Sequence, residues 1–165
     1  MKATQLKRAF PLLLSLVWLS GSVAAQTGQP NQAPPATLNS AAQKAQLVAL
    51  HVDQNDPAVM NLALNNAQNI IAHYKALGRP VKIEIVTYGP GLYMLRDDKS
   101  PVKARISTFA FEQPEVTFIA CANTRDNMAK AEGTAIGIMT EAKLMPSGVV
   151  HLMELQASGY AYIKP

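Results

Sequence analysis

From residue 44 onward, short apolar runs alternate with stretches whose apolar residues recur at helical spacing. Gln46-Leu47-Val48-Ala49-Leu50-His51-Val52 reads as a first strand. Asp56-Pro57 then supplies an N-cap and a proline at the first helical position. From Val59 onward, Leu62, Ala63, Ala67, Ile70, Tyr74 and Leu77 fall on one face of a helix that Gly78 closes. Val81 to Thr87, rich in β-branched residues, predicts a second strand, and Tyr88-Gly89-Pro90-Gly91 a tight turn at its carboxyl end. Pro101 to Phe111 predicts a helix carrying Val102, Ile106 and Phe109. Val116-Thr117-Phe118-Ile119-Ala120-Cys121 predicts a third strand, followed by a helix that begins around Thr124 and runs to about Ile138. A weaker strand at Glu141–Met145, a short helix opened by Pro146-Ser147-Gly148 and a last short strand at Tyr160–Lys164 complete the pattern. This alternation predicts a three-layer Rossmann-like α/β domain: a mostly parallel sheet of about five strands with helices on both faces.

Ahead of that domain the pattern changes. Lys2, Lys7 and Arg8 precede an apolar stretch, Leu12 to Ala24, that ends in small residues, so residues 1–25 read as a secretory signal peptide cleaved after Ala24 or Ala25. The stretch is short for a membrane span and is broken by Pro11, Ser15, Ser20 and Gly21. Export implies a periplasmic protein with no membrane attachment after cleavage. Residues 26–43, which include Gln29-Pro30-Asn31-Gln32-Ala33-Pro34-Pro35, lack apolar periodicity and read as a flexible mature N-terminus. The α/β domain is expected over residues 44–165.

The signal peptide also changes the charge. The whole chain has 15 Lys and Arg against 11 Asp and Glu, a net charge of +4. Loss of Lys2, Lys7 and Arg8 leaves a nearly neutral protein, with no electrostatic footing for a nucleic-acid partner. His51, His73 and His151 share no metal-ligand spacing with one another or with Cys121, so no metal is expected. Gly89-Pro90-Gly91 lacks the rest of a dinucleotide fingerprint and follows the second strand rather than the first, so no nucleotide cofactor is expected. Asn61, Asn65 and Asn69, spaced by four, read as a solvated or packed helix face, and Met128, Met139, Met145 and Met153 as core packing.

The chain has one cysteine, Cys121, which cannot form an internal disulfide. It is buried, paired between chains, or kept for chemistry. Where a strand gives way to loop ahead of a helix, unpaired backbone N–H groups favour the thiolate. Ligands of open parallel sheets bind outside the carboxyl ends of the strands. The first strand delivers His51, Asp53 and Asn55 to that edge, the second Tyr88, Gly89 and Gly91, and the third Cys121, Asn123 and Thr124. Each also has an ordinary structural reading: Asp53 and Asn55 can shape a turn, the glycines can supply backbone angles, and Tyr88 can pack.

Several of these segments, taken in order, resemble the DsrE/DsrF-like sulfur-relay superfamily, in its branch of small exported single-domain members. They are the strand with its long helix, Ile85-Val86-Thr87-Tyr88-Gly89-Pro90-Gly91, Ala120-Cys121-Ala122-Asn123-Thr124, Pro146-Ser147-Gly148-Val149-Val150, and Leu155 to Pro165. The resemblance implies a trimer or hexamer, a thiol or sulfane-sulfur partner, and a persulfide carried on Cys121. The alternative is a non-catalytic oligomeric binding or scaffold protein with the same fold. Two departures stand out. The chain reads as exported, whereas thiolation relays work in the cytoplasm, and Arg125-Asp126 is expected to set a cation and an anion together near the thiol.

Overall fold

The computed structural model describes residues 44–165. The expected signal peptide and flexible stretch, residues 1–43, lie outside the described residues. Ten elements follow in chain order: β1 (Gln46–Val52), α1 (Pro57–Ala76), β2 (Val81–Thr87), a 3-10 helix (Gly89–Leu95), α2 (Lys103–Glu112), β3 (Val116–Cys121), α3 (Ala122–Glu132), β4 (Ala142–Met145), α4 (Gly148–Ala157) and β5 (Ala161–Ile163). The strands form one all-parallel sheet in the order β4-β3-β2-β1-β5. The domain is a three-layer, Rossmann-like α/β fold.

Side-chain alternation along each strand divides the core in two. Val48, Leu50 and Val52 of β1, Ile83 and Ile85 of β2, and Val116, Phe118 and Ala120 of β3 share one face with buried residues of α1, the 3-10 helix and α2. Met128 of α3 packs on the same side. On the other face Ala49, Val86 and Ile119 meet Leu152 and Leu155 of α4. Among the described residues, then, one face carries most of the helices and the other rests on a single ten-residue helix.

Local chemistry accounts for the element ends. The Asp56 side chain accepts a hydrogen bond from the Ala58 N–H at 2.7 Å, and Pro57 follows at the first helical position, as its sequence predicts. Two expectations are corrected. Tyr88-Gly89-Pro90-Gly91 is not a tight turn but the start of the seven-residue 3-10 helix, whose Leu92, Met94 and Leu95 are fully buried and hold it against the core. Likewise α3 ends at Glu132, not near Ile138. Gly133 takes the left-handed conformation at φ 67°, and the chain beyond pairs with the end of the 3-10 helix through an antiparallel Arg96–Ile138 bridge. There the Met139 N–H donates to the Leu95 carbonyl at 3.0 Å. Of the asparagines spaced by four, Asn61 is partly buried while Asn65 and Asn69 are exposed, and the side-chain oxygens of Asn61 and Asn65 accept hydrogen bonds from Arg105 of α2. Of the methionines expected in the core, Met139 is buried but Met153 is 65% exposed, while Met60 and Met94 are fully buried.

Candidate functional site around Cys121

Register brings the carboxyl ends of the three central strands level. Val52 lies beside Thr87, and Thr87 beside Ala120, so the next residues along, Asp53, Tyr88 and Cys121, are neighbours across the sheet. Cys121 and Tyr88 belong to the α4 side, Cys121 because it alternates with Ala120 and Tyr88 because it packs with Val86 and Ile119.

Cys121 does not enter an exposed loop. β3 passes directly into α3, two residues earlier than its sequence predicts, and Cys121 is itself the N-cap, its sulfur accepting from the Thr124 N–H at 3.4 Å. The residue is only 4% exposed. Burial, the largest single influence, raises the pKa of the thiol, yet the Thr124 hydroxyl and the backbone N–H groups of Gly148, Thr124 and Asn123 together outweigh it and hold the thiol below its ordinary value. Thr124 is placed for this because its oxygen already accepts from the Gly89 N–H at 3.0 Å, which leaves its own proton free to donate. Arg125 and Asp126, the cation and anion expected near the thiol, pair with each other at 2.7 Å.

A second helix start reaches the sulfur from β4. Met145 lies beside Cys121, the Asn123 N–H donates to the Pro146 carbonyl at 3.2 Å, and the Ser147 hydroxyl caps α4 by accepting from the Val150 N–H at 3.4 Å. Gly148 makes the approach sterically feasible. A Cβ there would lie 3.1 Å from Tyr88 Cδ1 and 3.3 Å from Cys121 Cβ, tighter than ordinary contact.

Next to this centre stands a polar row. His51, 3% exposed, stacks on Tyr88 with ring centroids 4.4 Å apart, and its Nδ1 shares a 2.8 Å hydrogen bond with the Tyr162 hydroxyl. Burial lowers the His51 pKa, so the imidazole is neutral near pH 7. Lys164 bonds Asp53 Oδ2 at 2.6 Å and holds that carboxyl below its usual range. Burial raises the pKa of Tyr88, so its phenol stays protonated. His51 Nε2 and Asp53 Oδ1 are both buried without a hydrogen-bond partner. Beyond the row, Glu84 is buried beneath α4 and meets His151 Nε2 at 2.7 Å and the Tyr160 hydroxyl at 3.3 Å.

The residues expected to form one crevice thus divide between two faces. Gly89 and Thr124 line a groove of about 410 Å³ with Asn55, Pro90 and Met128, and Cys121 is not part of it. Gly91 contributes space rather than chemistry, since a Cβ there would lie 2.1 Å from the Val52 carbonyl oxygen. Asn123 is exposed and contributes its backbone N–H. Nearer the sulfur, Met145, Pro146, Ser147 and Val150 border a hollow of about 430 Å³. Gly148, Tyr162 and Lys164 were missed from the sequence. The period-two spacing of Tyr160, Tyr162 and Lys164, which puts all three on one side of the last strand, was the signal available for two of them. Among the described residues no group of three or more His, Cys, Asp or Glu side chains could hold a metal ion, and no helix is long and apolar enough to cross a membrane.

No family model matches the chain. No curated protein matches it either. A solved structure does: MTH1491, a protein of unknown function from Methanobacterium thermoautotrophicum, superposes with a TM-score of 0.62 at 30% sequence identity, over 73% of this chain and 99% of that one. At that identity, and with almost the whole of the relative covered, this chain belongs to the same family as MTH1491 of Methanobacterium thermoautotrophicum.

Proposed function

We propose that this protein handles sulfane sulfur, with Cys121 as the nucleophile. The observation that carries this is the position of the sulfur between two helix starts: it caps α3 by accepting from the Thr124 N–H at 3.4 Å, and the first turn of α4 abuts it at Gly148, a setting that favours the thiolate. The chemistry needs no resident cofactor. Thiolate Cys121 attacks the outer sulfur of a persulfide R–S–SH, the R–S bond partner leaves as thiolate R–S⁻, and Cys121 becomes a persulfide. Attack by an acceptor thiolate on that outer sulfur reverses the step and returns Cys121 to thiolate. The signal-like N-terminus and the resemblance to DsrE/DsrF-like proteins add an exported, self-associating carrier to this proposal. N-terminal sequencing of exported material should begin near Gln26, and an intact Met1 would remove the export.

One observation favours a different reading. At 4% exposure Cys121 has the burial of a structural thiol in a non-catalytic scaffold protein. Rates separate the two. On the folded protein, iodoacetamide should alkylate Cys121 with a pH midpoint below the roughly 8.5 of a free thiol. Incubation with a low-molecular-weight persulfide should add one sulfur to the intact mass, lost on reduction and absent in Cys121→Ser. Alkylation only on unfolding, with no added mass, would leave the scaffold reading.

A further inference from the structure

Two buried polar atoms at the end of β1, on the side of the sheet that Cys121 faces, have no partner: Nε2 of His51 and Oδ1 of Asp53. They sit two residues apart on β1 and at its end, on the same side of the sheet by strand alternation. A buried polar atom left unbonded is costly, and most such groups in native proteins are satisfied. The other atoms of both side chains are already engaged, Nδ1 with Tyr162 and Oδ2 with Lys164. What closes the pair off is light. Tyr162 is 42% exposed and belongs to a three-residue edge strand, and the Lys164 side chain is 44% exposed. Rotation of either side chain would open the pair to solvent.

From these groups we infer a substrate subsite: His51 and Asp53 receive the amine of a low-molecular-weight aminothiol persulfide, whose sulfur end reaches Cys121. This rests on the sulfur-handling proposal and names its donor class. Asp53 is ionised and can only accept a hydrogen bond, so the group that satisfies it must bring an N–H or O–H. Anionic donors without such a proton, such as thiosulfate, leave Oδ1 unpaired and face a carboxylate. A protonated amine can donate to Asp53 Oδ1 and, in the tautomer with Nδ1 protonated, to His51 Nε2. Reach agrees with this. β1 and β3 are two strands apart, about 10 Å at the usual strand spacing. The atoms from amine nitrogen to outer sulfur in a β-aminothiol persulfide, closed by a hydrogen bond of about 3 Å at one end and a sulfur–sulfur approach at the other, cover that gap. Tyr88 forms the wall between, stacked on His51 and close to the Gly148 backbone that abuts Cys121.

The test uses the chemically silent Cys121→Ser protein. Cysteamine, ethanethiol and thiosulfate are titrated while the His51 ring nitrogens are followed by NMR. Cysteamine should shift Nε2 saturably, and the other two should not. Asp53→Asn should weaken cysteamine binding at least tenfold, and Lys164→Ala, which frees the second carboxylate oxygen, should tighten it. The opposite signs keep the inference testable if one variant fails to fold. No Nε2 shift with cysteamine, or an equal shift with all three probes, would overturn it and leave the two atoms bridged by water. Loading of Cys121 in the wild-type protein is read separately by mass. Cysteamine binding without any persulfide loading would sink the sulfur chemistry while the amine subsite stood, so the inferred donor role would fall. Loading at equal rates from cysteamine persulfide and thiosulfate would sink the subsite alone.

Discussion

Arg96 shows how far a single residue can depart from its type. Its side chain is 1% exposed, yet Nε and Nη2 donate to Asp98 at 2.9 and 2.7 Å, the guanidinium also pairs with Glu132 of α3, and it lies 4.9 Å from the Tyr93 ring centroid. The forked, planar group satisfies two carboxylates at once, which is what permits its burial. Arg96→Met should lower stability, because it removes the hydrogen bonds that tie Asp98 and Glu132 to the end of the 3-10 helix. Denaturant unfolding at pH 7 measures that. Arg96 holds Glu132 down to about 2. A depressed carboxyl stabilises the fold above its unfolded value near 4.3 and loses that contribution as pH falls through the folded one. The stability gap between wild type and Glu132→Gln should therefore be full at pH 6 and shrink steadily towards pH 2. Cys121 follows the same sign rule in a different window. Its folded pKa is lowered, so wild type should gain on Cys121→Ser as pH rises through the folded value, the gain becoming full above the roughly 8.5 of the unfolded thiol.

At the scale of elements, the site depends on two helices starting at one sulfur. α3 does so because β3 leads into it without a loop, and α4 because Gly148 allows its first turn against Tyr88 and Cys121. Gly148→Ala should push that turn back. Overpacking of this kind costs about 1–3 kcal/mol, and the lost N–H should return the thiol towards its ordinary pKa. Ser147→Ala is the control, removing a cap worth about 1 kcal/mol without adding bulk at Cys121. Alkylation at pH 7 should slow in the first variant and change little in the second. If both slow alike, a loosened helix rather than the position of one N–H governs the thiol.

For the whole domain, the uneven dressing of the sheet matters most. α4, alone on its face among the described residues, leaves Val149 50%, Val150 48% and Met153 65% exposed. Exposed apolar surface of this kind favours self-association. Light scattering at micromolar concentration should give an oligomer, and Val149→Asp combined with Met153→Asp should reduce it to monomer without unfolding. A wild-type monomer under those conditions would remove the expected assembly.

Patterns that repeat along a few residues made the fold readable without coordinates. β-Branched runs marked β1, β2 and β3, Asp56-Pro57 and Gly78 bracketed α1, and the alternation of strand and helix implied parallel pairing, because each such signal reports a local energetic preference. The 3-10 helix and the early end of α3 were not readable, since buried contacts of Leu92, Met94 and Leu95 and the pairing of Arg96 with Ile138 override the local signal there. The place of Cys121 at the end of a strand was legible from the apolar run before it. Its partners were not: Gly148 is 27 residues away in sequence, and Tyr162 and Lys164 come from the far end of the chain. Strand order and register brought them together, and those depend on how a whole sheet closes rather than on any neighbouring residue.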